Sequence, residues 1–437
     1  MSEQQVVRRF IDYRTAVLMV IANMIGTGVF TTLGLQAEAV PDGAALLLLW
    51  ALGGLVALCG ALSYAELAAA LPRSGGEYHF LSRIYHPALG QLAGWVSVTV
   101  GFSAPIALAA MGLGYYVSAV VRWDPTLVAL ATVLGLTALH AFDLGLGRGF
   151  QIWATLVKVA LIGLFCVLGL VAEPATGRLP LAPTGRTLDL VLSAPFALAL
   201  IYVSYAYSGW NAAAYVVDEV REPQRTVPRA LIHGTLLVTG LYLLLNLTFL
   251  RATAQSALAG TVEVGALSAQ HILGPQGAAL LSLALSLLLA STISAMVLAG
   301  PRVLQAMGED IPSLRPLAAR NRRGAPTRAV LVQQGLAVAL ILTDSFEAVL
   351  TFAGFTLSLF ALLTVTGVLK LRRSAPRLDR PFRVPLYPLP PLIFIAISGV
   401  SLVMVAWERP GAVAAALSLL VALGVLLWRL CRIRSTA

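Results

Sequence analysis

Charged residues are scarce in this sequence, and their scarcity excludes most kinds of soluble protein. Asp, Glu, Lys and Arg make up 11% of its 437 residues, whereas hydrophobic residues make up 58%. A soluble domain of this length needs far more charge on its surface. The chain is therefore expected to be an all-α integral membrane protein that crosses the bilayer many times.

Cysteine and histidine are also sparse, which limits disulfides, metal sites and catalysis. The three cysteines, Cys59, Cys166 and Cys431, lie in hydrophobic runs or in the C-terminal tail, so no disulfide is expected. The five histidines have no metal-ligand spacing, and neither a metal nor another cofactor is expected. An intramembrane enzyme is disfavoured, because the sequence has no His-Glu-x-x-His motif, no paired aspartates within a hydrophobic run and no P-loop.

Long hydrophobic runs dominate what is present. Runs of about 20 apolar residues are long enough to cross a bilayer as helices, and the connectors between them are too short to fold alone. We therefore predict a single transmembrane domain over residues 1–437 with twelve spans. The predicted spans cover residues 12–38, 43–69, 88–119, 125–142, 150–171, 191–217, 229–250, 276–306, 328–344, 347–370, 389–407 and 411–430.

The net charge of +10 is unevenly distributed among the connectors. Lys and Arg resist translocation, so connectors rich in them remain in the cytoplasm. Most of the 30 basic residues fall on the inner side when both termini are cytoplasmic, which predicts a multi-pass protein of the cell membrane. The basic segments 315–328 and 370–383 can contact anionic membrane lipid, and no nucleic-acid partner is needed to explain the charge.

Two of the predicted spans are interrupted near their centres by small residues. Inside a helix, glycine costs about 1 kcal/mol relative to alanine, and each backbone group freed in hydrocarbon needs a partner. A broken helix offers free N–H groups to an anion and free carbonyls to a cation, and an amino acid carries both charges. The pattern thus predicts a carrier, with a small-residue seam for helix packing as the alternative. The interruptions are Ile25-Gly26-Thr27-Gly28-Val29-Phe30 in the first span and Tyr207-Ser208-Gly209-Trp210-Asn211 in the sixth.

Four motifs, in order along the chain, resemble those of one transporter family. Residues 24–30 resemble its IGxGIF signature, and residues 64–78 resemble YAEL followed by PxSGGEY. Residues 205–229 resemble FAYxGWN followed by NPxRxxPRA, and residues 371–388 resemble LRxxxP followed by RPYRVPxxP. On these motifs the chain resembles the amino acid-polyamine-organocation (APC) superfamily and, within it, the L-type amino acid transporter branch.

The resemblance implies a LeuT-type fold of twelve helices in which helices one and six are broken. Residues 12–171 and 191–370 would form two inverted repeats, and helices eleven and twelve, in residues 389–430, would be peripheral. It also implies a sodium-independent transporter of neutral L-amino acids that works by exchange or by proton symport. A carrier of polyamines or other amines is the alternative, which is disfavoured because no carboxylate lies at the centre of a predicted span. A channel is disfavoured because no ring of selectivity residues is evident.

By the same resemblance, backbone groups at the two breaks bind the carboxylate and the amine of the substrate. Tyr205 would be an aromatic lid, with tyrosine in place of the commoner phenylalanine, and Asn211 would touch the substrate or hold the unwound segment. Packing in the membrane is the alternative role for these aromatic residues. The implied substrate-binding residues are Ile25, Gly26, Thr27, Gly28, Val29, Tyr205, Ala206, Ser208, Trp210 and Asn211.

Lys158 is the one basic residue predicted to lie deep within a span, roughly 12 Å from its start at about 1.5 Å per residue. Ionisable groups at such depth mark transport paths or coupling sites. In sodium-independent relatives a lysine at the matching place occupies the position of a sodium ion, and a structural donor between helices is the alternative. The resemblance thus implies that Lys158 bridges the first break to hydroxyls of span eight, for which Ser291, Thr292 and Ser294 are available.

Three carboxylates at predicted cytoplasmic span ends are candidate gate residues, namely Glu66, Asp218 and Glu219. Ion pairs between these carboxylates and nearby arginines would close the inner side of the carrier, and solvated surface charge is the alternative. The arginines nearest in sequence are Arg73, Arg225 and Arg229.

The loop between spans three and four, residues 121–125, contains no cysteine. Eukaryotic exchangers of the L-type branch join a glycoprotein heavy chain through an external cysteine in that loop. No disulfide-linked heavy chain is therefore expected, and the partners implied are an amino acid substrate and membrane lipid.

Overall fold

The computed structural model describes residue 9 and residues 11–142, 145–321 and 325–432. The terminal residues, which the charge distribution assigns to the cytoplasm, and part of the basic segment 315–328 lie outside these ranges. Helices and short turns account for nearly all of the described chain. The α-helices are α1 Tyr13–Met24, α2 Gly28–Ala39, α3 Gly43–Ala70, α4 Glu77–Ile84, α5 Pro87–Val96, α6 Ala104–Val121, α7 Pro125–Phe142, α8 Gly145–Val171, α9 Thr187–Val191, α10 Ala194–Ala206, α11 Pro223–Ala252, α12 Gln255–Leu258, α13 Val264–Ala299, α14 Pro301–Asp310, α15 Arg315–Ala318, α16 Thr327–Ile341, α17 Phe346–Ser374, α18 Leu389–Glu408 and α19 Pro410–Arg432.

Eight helical segments within the described ranges are long and apolar enough to cross a membrane. Large apolar side chains point outward from them, with Val171 and Trp407 exposed over 83% and 84% of their surface, as lipid-facing positions require. Three shorter apolar helices, at Pro125–Leu139, Ala194–Ala206 and Thr327–Ile341, lie at the predicted spans four, six and nine. The eight long segments are Tyr13–Ala39, Gly43–Ala70, Pro87–Val121, Ile152–Val171, Pro223–Ala252, Val264–Asp310, Phe346–Ser374 and Leu389–Glu408.

The third and eighth spans depart from the regular helices predicted. The third continues from α5 into α6 through a π-helical segment at Ser97–Ser103. The eighth, α13, begins well before the predicted residue 276, because helical chain precedes a kink at Gly274, where φ is 73°. Pro275 follows and has no N–H to donate to the preceding turn, so the kink joins a connector helix to the membrane span.

The first span consists of two helices separated by a short break. Asp12 caps the start of α1, which ends at Met24, and α2 begins at Gly28. A Cβ atom on Gly28 would lie 2.6 Å from the Cα of Ala206 at the end of α10. Only glycine therefore allows the backbones of the two interrupted spans to touch here.

The sixth span is interrupted over a longer stretch than predicted. The chain leaves α10 through a turn at Gly209, where φ is 96° and a Cβ would lie 2.5 Å from the carbonyl oxygen of Asn23. Two 3-10 turns follow, at Ala212–Tyr215 and Val217–Glu219, where the predicted span resumes after residue 211 and continues to residue 217. Such turns bond three residues back and rarely extend further, so the second part of this span has no regular α-helix.

Candidate functional site

The interrupted ends of the first and sixth spans lie beside each other around one tyrosine of α11. The hydroxyl of Tyr242 lies 2.6 Å from the carbonyl oxygen of Met24 and 3.0 Å from that of Ala206. Both carbonyls end a helix and so lack a partner within it, and Tyr242 is fully buried. The sequence analysis missed this residue, because a lone tyrosine in a regular hydrophobic helix carries no signal that it contacts a break.

Lys158 reaches the first break from α8. Its ammonium donates hydrogen bonds to the Ile25 carbonyl oxygen at 2.8 Å and to Thr292 Oγ1 at 2.7 Å. The Thr292 hydroxyl itself lies 3.0 Å from the same carbonyl. Lys158 has no exposed surface, and Ser291 and Ser294 are buried beside Thr292 on α13. The lysine therefore joins α8, α13 and the first break in one hydrogen-bonded group.

Several carbonyls implied to bind the substrate amine already have hydrogen-bond donors. Ile25 O accepts from Lys158 and from Thr292, and a carbonyl oxygen has two acceptor sites. Tyr205 O accepts the N–H of Ser208 at 2.8 Å. These two carbonyls are therefore at least partly occupied. In the first turn of α2 the N–H of Phe30 donates to Thr27 O at 2.9 Å, whereas the N–H groups of Gly28 and Val29 have no acceptor within their helix.

A cavity of about 90 Å³ lies against the sixth span. At roughly 10–15 Å³ for each enclosed water, this space holds about six to nine waters, which is room for a small molecule. Among the predicted substrate-binding residues, Tyr205, Ser208, Trp210 and Asn211 line the cavity. Further polar wall residues are Asn23, Ser97, Ser204 and Ser358. The other predicted residues, Ile25, Gly26, Thr27, Gly28, Val29 and Ala206, are not part of the lining, and Gly28 packs directly on Ala206.

Trp210 anchors the turn of the sixth span to neighbouring helices. Its ring stands edge-on to Tyr64 of α3 at a centroid distance of 4.7 Å and to Phe394 of α18 at 6.4 Å. A Cβ on Gly60 would lie 2.8 Å from the Trp210 ring. The packing interpretation that the sequence left open therefore accounts for most of this side chain.

Glu77 is a buried carboxylate on the cavity wall that the sequence analysis did not select. Its Oε1 accepts hydrogen bonds from Tyr64 OH and Asn211 Nδ2, each at 2.7 Å. Its Oε2 accepts from Tyr215 OH. Glu77 begins α4, outside the predicted spans, yet it is only 6% exposed because α4 packs back against the cavity. The PxSGGEY motif contained the signal, but a connector position gave no reason to look inside the membrane.

Glu66 holds the connector after α17 rather than the arginines closest in sequence. Its carboxylate accepts hydrogen bonds from Arg372 Nη2 at 2.6 Å and from the N–H of Val384 at 2.7 Å. Arg380 Nε lies 3.5 Å away. The predicted pairing with Arg73, Arg225 or Arg229 is not formed, because residues far apart in sequence meet where α3 and α17 end.

The other two candidate gate carboxylates lie at the end of the interrupted sixth span. Glu219 accepts from Arg302 of α14 at 2.8 Å. Asp218 and Ser74 exchange two hydrogen bonds, at 3.1 and 2.9 Å, between backbone N–H groups and side-chain oxygens. Arg73 pairs instead with Asp310 at 2.7 Å. Together these contacts join α14, the segment before α4 and the sixth span.

Titratable groups beside this junction are perturbed by burial and by their neighbours. Burial, followed by the positive charges of Arg73 and Arg83, lowers the pKa of His79 to about 4. Burial and a hydrogen bond to Asp310 raise the pKa of Tyr78 above its ordinary value. At neutral pH the imidazole of His79 is therefore uncharged, and the phenol of Tyr78 is protonated.

An interrupted sixth span that borders a cavity and packs against an interrupted first span, in a helical membrane protein, is typical of membrane carriers. The model of the amino acid permease family matches residues 11–428. The chain belongs to this family, which lies within the APC superfamily of transporters.

Several characterised transporters are similar to this chain along most of its length. The serine/threonine exchanger SteT of Bacillus subtilis is 27% identical, over 90% of each chain. The human b(0,+)-type amino acid transporter 1 is 27% identical, over 85% of this chain and 77% of its own. The human large neutral amino acids transporter small subunit 2 is 26% identical, over 90% of this chain and 75% of its own.

Proposed function

We propose that this protein is a sodium-independent secondary transporter of neutral L-amino acids, which it exchanges across the cell membrane by alternating access. The observation that carries this proposal is the position of the Lys158 ammonium. It bonds to Ile25 O and Thr292 Oγ1, so the lysine side chain connects α8 and α13 to the first break. By the resemblance to sodium-independent relatives, that ammonium does the work of a sodium ion, and proton symport is the alternative mode of coupling.

The fold proposed for this function is the LeuT type, with twelve crossing helices and both termini in the cytoplasm. The repeats are residues 12–171 and 191–370, and residues 389–430 are peripheral. The contact between Gly28 and Ala206 supports this arrangement, because it brings the interruptions of spans one and six together. The absence of cysteine from residues 121–125 supports a transporter that works without a disulfide-linked heavy chain.

The substrate proposed is a small neutral amino acid. The N–H groups of Gly28 and Val29 at the start of α2 would hold its carboxylate, and Tyr205 would cover it as a lid. The small volume of the cavity, about 90 Å³, supports serine, threonine or alanine over larger substrates. The name of the similar serine/threonine exchanger supports the same class.

The gate proposed is the set of contacts at the end of the sixth span. Opening would separate Glu219 from Arg302 and Asp218 from Ser74. Glu66 would act with them indirectly, by fixing the connector after α17 to the end of α3.

Counterflow in proteoliposomes tests the substrate and the coupling together. Vesicles loaded with unlabelled L-serine should accumulate labelled L-serine equally in sodium and in choline buffers. Unlabelled L-threonine and L-alanine should compete, whereas serine methyl ester, N-acetylserine and ethanolamine should not. A strict requirement for sodium, or equal competition by ethanolamine, would contradict the proposal.

An organic-amine carrier is the second candidate, and Glu77 is the observation that favours it. A carboxylate on the cavity wall is the group that a cationic substrate would need. Three neutral donors already bind it, however, which weakens its pull on a cation. Labelled putrescine in the same vesicles decides: uptake that exceeds that of serine would favour the amine carrier.

A further inference from the structure

Glu77 connects three parts of the molecule that are otherwise separate in the chain. It begins α4, whereas its donors Tyr64, Asn211 and Tyr215 belong to α3 and to the segment after the break of the sixth span. Glu77, Asn211 and Tyr215 all line the cavity. Movement of the sixth span away from α3 or α4 therefore has to break these hydrogen bonds.

The carboxylate depends on these donors because no cation of the described residues forms an ion pair with it. The ion pairs among the described residues do not include Glu77, although it is only 6% exposed. Hydrogen bonds to a charged acceptor are about twice as strong as neutral ones. A buried carboxylate that loses them must gain water in their place. The closed arrangement is thus favoured until water reaches Glu77.

A second set of contacts joins the same two segments through residues that do not line the cavity. The N–H of Gly76 donates to Ala214 O at 3.3 Å, and Ser74 exchanges hydrogen bonds with Asp218. A Cβ on Gly76 would lie 2.5 Å from the Tyr215 ring, so the two segments are closely packed. Glu77, Asn211 and Tyr215 are the contacts of this junction that line the cavity.

We infer that Glu77 and its three donors form a latch that closes the cavity on the side of α4, and that each transport cycle opens it. This inference rests on the proposed transport function, for which Glu77 is a positioning residue. Opening would move Asn211 and Tyr215 away from Glu77 and let water hydrate the carboxylate. By the predicted topology, the side that opens is the cytoplasmic one.

Accessibility labelling tests the latch without a transported substrate. The reporter is Ser358→Cys on the cavity wall, in a protein with Cys59, Cys166 and Cys431 replaced by alanine. The probe is a membrane-impermeant maleimide applied to inside-out vesicles. Tyr215→Phe and Glu77→Gln should each speed labelling about tenfold. The first removes a donor to the charged carboxylate, and the second removes the charge of the acceptor.

Tyr202→Phe is the matched control. The Tyr202 hydroxyl also donates to a glutamate, Glu347, at 3.1 Å, but neither residue lines the cavity. Its labelling rate should equal that of the parent. Size-exclusion profiles show whether each variant is folded, and Tyr215→Phe keeps its ring should Glu77→Gln fail to fold.

The labelling assay tests the latch and the counterflow assay tests the transport function, so the two claims can be contradicted independently. Unchanged labelling in both latch variants, or an equal increase in Tyr202→Phe, would overturn the latch. Parent protein without any amino acid counterflow would overturn the proposed function, and the labelling rates would still report on closure.

Discussion

The two interruptions have similar small residues but are held in different ways. The first is short, has α-helix on both sides and is fixed from outside by Lys158, Thr292 and Tyr242. The second passes through a left-handed glycine into 3-10 turns and is fixed by contacts with α4 and α14. The comparison teaches that glycine content locates a break but not its partners. The first is built as a fixed element, and the second as one with contacts that can be exchanged.

The largest expected effect is a loss of counterflow when the first break loses Lys158. Lys158→Met keeps most of the side-chain volume but leaves the buried Ile25 O with one donor fewer. Hydrogen bonds of charged groups contribute about 1.5–3 kcal/mol, and loss of the bridge between helices adds to that. We expect counterflow to fall by about 100-fold or more.

Lys370→Met is the control for the lysine substitution. Lys370 is exposed and lies 4.2 Å over the Tyr85 ring, outside the site. Its variant should transport like the parent. Parent-like transport by Lys158→Met would mean that the first break does not need its bridge.

The next effect is on the second break. Gly209→Ala places a Cβ 2.5 Å from Asn23 O at a φ of 96°. Strain of this kind costs about 1–3 kcal/mol, and the clash adds to it, so the melting temperature in detergent should fall. Gly240→Ala, where a Cβ meets nothing within 4 Å inside α11, should raise it slightly. Equal melting temperatures for the two variants would show that the second break needs no left-handed residue.

A smaller effect is expected where the two breaks share a donor. Tyr242→Phe keeps the ring and removes the hydroxyl that serves Met24 O and Ala206 O. Met24 O keeps the N–H of Gly26 as a donor at 2.9 Å, whereas Ala206 O loses the hydroxyl. A buried acceptor left without its donor costs about 1–3 kcal/mol, so the melting temperature should fall and exchange should slow by roughly tenfold. Tyr13→Phe, which loses only an exposed contact with His233, should change neither. A parent-like melting temperature and exchange rate in Tyr242→Phe would show that the shared hydroxyl does not couple the two breaks.

The smallest effect is a pH dependence at the side of α4. Folding lowers the pKa of His79 from 6.5 to about 4, so the unfolded chain takes up a proton at higher pH than the folded one. Stability from this residue is complete above pH 6.5 and is lost as the pH falls towards 4. The melting temperature in detergent should fall in the parent as the pH is lowered from 6.5 towards 4, and it should fall less steeply in His79→Gln. Identical falls in the two proteins would show that His79 does not contribute to the pH dependence.

The sequence predicted features that depend on residues close together in the chain. It did not predict contacts between residues that are far apart in the chain. Glycines predicted where helices break. The depth of Lys158 marked it as a site residue, and the family resemblance implied the bridge whose atoms lie within hydrogen-bond distance of Ile25 and Thr292. Ion-pair partners were misjudged, because Glu66 meets Arg372, 306 positions away, rather than a neighbouring arginine. Glu77 was missed because hydropathy describes the residues of a connector, not the direction in which α4 packs.

The hydroxyl of Tyr242 has one hydrogen but two carbonyl oxygens within reach. At any moment it can bond fully to only one of them, so Met24 and Ala206 compete for the same proton donor. A change that turns the Ala206 carbonyl away releases the hydrogen to Met24, and the reverse also holds. The hydrogen bond of Tyr242 can thus pass between the two interrupted spans without movement of charge. The orientation of one carbonyl therefore determines whether the other has its donor.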